Sequence, residues 1–330
     1  MSELVMVEQR TNGLDTSSVW IREGDSRLEG QDSDARLAEL RIGLRRHFGV
    51  RCVDAAADDA AVERTVAALH GPEHMAALDA VGNESTVLPQ LAPPGLEPDI
   101  PVNAALVAAA REAVRTALSA ADRLLAGDRY AYAVCRPPGH HAGPAGYGGS
   151  CYLNNAALAA QALRQAGAGR VAVVDIDAHH GNGTQAIFYA RPDVYYGSVH
   201  VDPGAGWFPH YMGFADERGS GPGSGANRNL PVAPGTGDDR WLAAVQQLCQ
   251  DVRQHGAEAI VLSLGTDAAA ADPESPLQVT AAGYRAAGEL IGRLGPVTAV
   301  QEGGYHLPSL GEYVLATLAG VQAGQAAAGR

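Results

Sequence analysis

Arg170-Val-Ala-Val-Val-Asp-Ile-Asp-Ala-His-His-Gly-Asn-Gly183 reads as a strand that runs into a cluster of chemistry. Its first half is a continuous apolar, β-branched run of the kind buried on both faces of a parallel sheet. Its second half turns abruptly to acids, histidines and glycines. Comparable runs stand at Tyr130-Arg136, Val194-His200, Glu258-Asp267 and Val297-Tyr305, separated by Ala/Leu-rich segments at 153–167, 239–255, 279–294 and 308–326. Alternation of this kind predicts β-α units around a parallel sheet, an α/β fold. An earlier helix is predicted over 102–126, where Val102, Leu106, Ala110, Val114 and Leu118 recur every four residues behind Pro101. Residues 35–80 carry weaker signals of α/β or helical structure. The chain reads as one domain over 1–330, with 1–20 a flexible N-terminal segment. Ser85-Pro101 and Asp202-Thr236 read as long loops. The glycines of Gly219-Gly225 follow acidic residues and open no helix, so a nucleotide-binding loop is not expected there.

Ligands of parallel α/β sheets bind beyond the carboxyl ends of the strands, and here those ends carry polar residues. After the first run comes Arg136-Pro-Pro-Gly-His-His141, after the central one Asp175 to Gly183, and after the others Ser198-Val-His200, Gly265-Thr-Asp267 and Glu302-Gly-Gly-Tyr305. Strand alternation puts Asp175, Asp177 and His179 on one face. Two carboxylates and an imidazole in line call for a divalent cation, since unpaired buried carboxylates are costly. Asp177, His179 and Asp267 offer three O/N ligands with an open position, the pattern of catalytic zinc. His140 and His141 can move a proton to and from an amide, and the Tyr305 phenol can donate to a developing oxyanion.

Composition narrows the classes. Of 330 residues, 46% are hydrophobic and 18% charged, with no long apolar run and a polar N-terminus, so neither a membrane span nor a secretory leader is expected. With 24 Lys and Arg against 37 Asp and Glu, the net charge is −13. An extended nucleic-acid surface is therefore not expected, while a cationic partner is readily accommodated. Cys52, Cys135, Cys151 and Cys249 lack CxxC spacing and fit reduced thiols in the cytoplasm.

The motifs Cys135-Arg-Pro-Pro-Gly-His-His-Ala142, Asn154-Asn155, Asp175 to Gln185 and Glu302-Gly-Gly-Tyr305 resemble the histone deacetylase and acetylpolyamine amidohydrolase superfamily over roughly 60–320. They look like its bacterial and class II branch. Trp207-Phe-Pro-His-Tyr-Met-Gly213 is similar to acetylpolyamine amidohydrolases. The resemblance implies an eight-stranded parallel sheet flanked by helices, as in arginases, and one zinc on Asp177, His179 and Asp267 with Tyr305 beside it. It implies His141 as general base and acid, His140 as an electrostatic helper paired to Asp175, and Asn182 at the second relay position. It further implies a monovalent cation, potassium, near Asp175 and Ser198. In the tunnel, Gly149 precedes Ser150, which replaces an aromatic wall, while Phe208 keeps the opposing one and Glu274 sits at the rim. The implied substrate is a small acylated amine, first an acetylpolyamine. Acetyl-lysine in proteins or a specialised metabolite remain alternatives, and the oligomeric state stays open. A two-metal ureohydrolase is disfavoured by Gly265 and His180, which stand where acids would be needed. A non-catalytic binder would have no use for the paired histidines and Tyr305.

Overall fold

The computed structural model describes residues 4–10, 20–23, 26–29, 31–45, 50–92 and 100–329. The chain begins with β1 (Leu4–Glu8), a hairpin of β2 (Trp20–Glu23) and β3 (Ser26–Glu29), α1 (Asp34–Arg45) and β4 (Val50–Asp54). Three helices follow: α2 (Asp59–Leu69), α3 (Pro72–Asp79) and α4 (Ala104–Leu125). From there strands and helices alternate, except that among the described residues no α-helix separates β7 from β8: β5 (Tyr130–Val134), α5 (Asn155–Gln165), β6 (Val171–Asp175), α6 (Asn182–Phe188), β7 (Val194–Val201), β8 (Asn227–Val232), α7 (Asp238–His255), β9 (Ala259–Leu264), α8 (Ala281–Gly292), β10 (Val297–Gln301) and α9 (Leu307–Ala328). Eight strands form one sheet in the order β4-β1-β5-β10-β9-β6-β7-β8. Every pairing in it is parallel.

Each central strand divides its side chains between two cores. Tyr130, Tyr132 and Val134 of β5 join Val174, Leu262 and Ala299 on the face covered by α1, α7, α8 and α9. Ala131 and Ala133 join Val173 and Val261 on the other face, where the alanines of α4 and α5 pack. Burial on both sides explains why these strands read as unbroken apolar runs. Among the described residues no helix is long and apolar enough to cross a membrane.

Two expectations need correction. Residues 1–20 were expected to be flexible, yet Leu4–Glu8 is a strand between β4 and β5. Leu4, Val5, Met6 and Val7 are at most 3% exposed, and at ~1.5–3 kcal/mol per buried large apolar side chain their burial offsets the ordering of so short a segment. Residues 11–19 lie outside the described ones, as do 93–99 of the expected Ser85-Pro101 loop. Asp202-Thr236 was expected to be loop throughout, but contains β8, the sheet edge beside β7. Pro231 is tolerated in β8 because an edge strand has a side with no ladder to interrupt.

The strand order delivers the site. β5, β10, β9 and β6 are the four central neighbours, and they end respectively in the segments 135–141, 302–305, 265–267 and 176–179. The chain crosses from β5 to β6 over two intervening strands, which opens the crevice where α/β sheets bind ligands.

Candidate metal and proton-transfer site

β6 stops at Asp175, so Asp177 and His179 lie on the turn beyond it rather than on one strand face. The turn separates the acids. Asp175 accepts from His140 Nδ1–H at 3.1 Å and from the Tyr196 hydroxyl at 3.1 Å. Asp177 and His179 instead converge with Asp267. His179 Nδ1 lies 3.2 Å from Asp177 Oδ1 and 3.0 Å from Asp267 Oδ2, and one donor atom of each residue lies within 4.8 Å of the others. Ligands each ~2.1 Å from a tetrahedral metal would stand ~3.4 Å apart, so the spacing fits a small dication. Both carboxylates are fully buried. Even with His179 charged, anions outnumber cations in this group, and burial followed by Asp177 pushes the Asp267 carboxyl up to about 7. A bound cation would relieve both penalties.

Glycine backbones press against this trio. A Cβ on Gly265 would lie 2.1 Å from Asp177 Oδ2, and one on Gly303 would lie 2.3 Å from Asp267 Oδ2. No side chain fits at 265, so the second acid of a two-metal ureohydrolase has no place there. His180 is buried and its ring lies tilted against that of His200, with 4.6 Å between centroids.

The paired histidines differ sharply. Burial disfavours charge on His140, but Asp177 and Asp175 outweigh it and raise its pKa to about 10. Burial, then the neighbouring His140 and His179, hold His141 well below the ordinary imidazole value. His141 Nδ1–H donates to Asn182 Oδ1 at 2.7 Å, which leaves Nε2 with a free lone pair. One ring thus holds a proton and its neighbour can accept one.

Buried groups pin the His140-His141 segment from several directions. Gln9 donates to Arg136 O at 2.7 Å and accepts from Arg136 N at 2.7 Å. Glu302 accepts from Gly139 N and His140 N at 2.7 and 3.1 Å. Asn154 donates to Ala142 O at 2.9 Å while capping α5. His70 Nδ1–H donates to Gly143 O at 2.9 Å and its Nε2 accepts from Asn154 N at 3.1 Å. Burial, and then His74, hold the His70 pKa down to about 3. Because the fold favours neutral His70, its contribution is complete above the unfolded value near 6.5 and declines as pH falls from there toward 3. Denaturant unfolding should therefore show stability falling over that window, with a shallower slope in His70→Gln. An unchanged slope in the variant would contradict this.

His140, Cys151 and Glu302 form a second group of metal-ligating types. Its chemistry fits a metal poorly: His140 Nδ1 is committed to Asp175, Glu302 accepts hydrogen bonds on both oxygens, and burial pushes the Cys151 thiol pKa up.

Tyr305 is half-buried, and Arg36 lies 4.8 Å from its ring centroid. Burial raises the phenol above its usual value, with Arg36 acting against it and Asp267 and Asp177 adding to it, so it remains a protonated donor. Asp272 Oδ2 accepts from Tyr305 N and His306 N at 2.6 and 3.0 Å, while its Oδ1 accepts from Glu274 N at 3.1 Å. Glu274 and Tyr305 thus share one buried anchor. Burial raises the Glu274 carboxyl, with His179 acting against it.

Phe208 meets His141 edge-on with ring centroids 4.8 Å apart. Gly149 lies between them, since a Cβ there would come 2.3 Å from His141 and 2.9 Å from Phe208. Ser150 follows with φ of 64°, in a tight turn where Gly148 and Cys151 form a bridge. Asp175 and Ser198 are register partners on β6 and β7, and the Ser198 hydroxyl lies 2.7 Å from His200 Nδ1. Asp272, Arg36, Gln9 and Tyr211 escaped sequence reasoning. Asp272 carried a signal as the acid two residues before Glu274, and Tyr211 lay inside the quoted Trp207–Gly213 stretch.

A sheet whose central strands end in the buried Asp177–His179–Asp267 group and the paired His140 and His141 defines an α/β protein with a candidate metal site at its carboxyl edge. The chain belongs to the histone deacetylase domain family, whose profile matches residues 31–321. Membership implies a catalytic metal, for which Asp177, His179 and Asp267 are the fitting group. The chain is 44% identical over 225 residues to acetylpolyamine amidohydrolase 1 of Pseudomonas aeruginosa, covering 68% of this chain and 65% of that one. It is 50% identical over 203 residues to acetylpolyamine amidohydrolase of Burkholderia pseudomallei, covering 61% and 59%. The match therefore spans somewhat less than two thirds of each relative's length. A crystal structure of acetylpolyamine aminohydrolase from Burkholderia pseudomallei superposes with TM-score 0.87 at 35% identity, over 97% of this chain and 99% of that one.

Proposed function

We propose that the protein is a zinc-dependent amidohydrolase that removes acetyl groups from small cationic amines, acetylpolyamines first among them. The observation that carries this reading is a buried Asp177–His179–Asp267 trio beside His141, whose Nδ1–H donates to Asn182. Zinc held by the trio would polarise an amide carbonyl and acidify a water molecule to a pKa of about 7. His141 Nε2 takes the proton from the attacking water and passes it to the departing amine. His140, bonded to Asp175, keeps positive charge beside the reacting centre. The Tyr305 hydroxyl donates to the carbonyl oxygen as negative charge develops on it. A potassium ion near Asp175 and Ser198 would further fix the β6 end.

The relatives' names favour acetylpolyamines. Glu274, half-buried at the rim, supports a cationic substrate, and Ser150 in place of an aromatic wall supports a wider tunnel. The described cysteines are free thiols, which fits the cytoplasm. A competition assay of acetylputrescine, acetylspermidine and an acetyl-lysine peptide tests the assignment. The polyamines should be preferred, and Glu274→Leu should selectively weaken them by about tenfold, the scale of one close charge interaction. Equal losses on all three substrates would remove Glu274 from specificity. No turnover of any would contradict the function.

A further inference from the structure

The loop carrying Phe208 also carries Tyr211, whose hydroxyl accepts from Asn182 Nδ2 at 2.7 Å. Asn182 opens α6, and its other amide atom, Oδ1, accepts from His141 Nδ1–H at 2.7 Å. The same helix grips the loop again one turn later. Gln185 Nε2 donates to Glu217 Oε2 at 2.7 Å, and that oxygen also accepts from Gly213 N at 2.9 Å and Asn229 Nδ2 at 3.1 Å. His200 Nε2–H donates to Gly213 O at 2.8 Å. The loop is therefore docked on α6 at two points, Tyr211 on Asn182 and Glu217 on Gln185.

We infer that Tyr211 is a positioning residue for proton transfer, holding the Asn182 amide so that its oxygen faces His141. This rests on His141 being the proton-transfer group. A neutral imidazole carries its proton on either nitrogen, and only the form protonated at Nδ1 leaves Nε2 free to act as base. An amide presents an acceptor at one end and donors at the other in nearly the same shape. If it turned over, Nδ2 would face His141 and favour the opposite tautomer. With its hydroxyl accepting from Nδ2, Tyr211 supports the orientation in which Oδ1 faces His141, and the partners of Glu217 and Gly213 hold Tyr211 in turn. Because Phe208 is on the same loop, the substrate wall and the proton-transfer group share one support.

The test compares steady-state kinetics of Tyr211→Phe, Asn182→Asp, the double variant and His141→Ala, on the acetylated amine that the native enzyme turns over fastest. Phenylalanine keeps the ring and removes the acceptor. Tyr211→Phe should lower kcat by about tenfold, the low end for residues that orient a reacting group, and should move KM by less than about twofold. In Asn182→Asp the carboxylate presents an acceptor whichever way it turns, so adding Tyr211→Phe should change kcat by less than about twofold. Equal losses in both backgrounds would mark Tyr211 as merely structural and overturn the inference. So would native kcat in Tyr211→Phe while His141→Ala is inactive. Turnover retained by His141→Ala would instead overturn the reading of His141, and the inference with it.

Discussion

His141→Ala is expected to lower kcat by about 10³-fold, the middle of the range for losing a positioned general acid and base. The bound metal and the fold should be retained. The expectation follows from the division between the two imidazoles. His140 Nδ1 is committed to Asp175 at 3.1 Å, which ties its ring to a buried carboxylate. His141, whose charge burial disfavours first of all and whose Nδ1–H donates to Asn182, is the ring with an available nitrogen at Nε2. Removing it leaves attacking water and departing amine without a proton carrier. His140→Ala should be milder in its effect on proton transfer, because it removes a charge rather than the carrier. Stopped assays with metal content measured on the same samples separate loss of chemistry from loss of metal. An active His141→Ala carrying full metal would contradict the assignment.

Tyr305→Phe is expected to cost about 10²–10³-fold in kcat, the loss seen when one oxyanion donor is removed. The phenol remains protonated at neutral pH because burial raises it, and it sits on a turn fixed by buried charges. Asp272 takes the Tyr305 and His306 amides on one side, while Arg36 Nε donates to Gly304 O at 2.7 Å on the other. Such preorganisation makes the hydroxyl worth more in the transition state than in the ground state. KM should therefore change little. A large rise in KM at constant kcat would recast Tyr305 as a binding residue.

Much of this was legible in the sequence because the chemistry sits where parallel strands stop. Asp177, His179, Asp267, His140, His141 and Tyr305 each follow an apolar run, so finding the strands found them. Strands whose order depends on neighbours were not legible. Leu4–Glu8 is five residues made stable by flanking strands, and Asn227–Val232 is disguised by Pro231 and two asparagines. Those asparagines are buried and bonded to Gln185, which a local reading scores as loop. Supporting residues were hidden for a related reason. Gln9 and Arg136, Arg36 and Gly304, and Asp272 and Tyr305 are joined only through the fold. Alternation also put Asp175 and Asp177 on one strand face, whereas β6 ends at Asp175 and the turn gives Asp175 the hydrogen bond from His140 Nδ1 while Asp177 meets His179.

The proposed function requires a single metal held by Asp177, His179 and Asp267 for cleavage of an acetyl-amide. Its most direct test is to strip the protein with a chelator, return zinc in measured steps, and follow acetylputrescine hydrolysis against zinc per chain. Activity should rise linearly and saturate at about one equivalent, with Asp267→Asn failing to recover at that point. Saturation at about two equivalents, or full recovery by Asp267→Asn at one, would contradict the account.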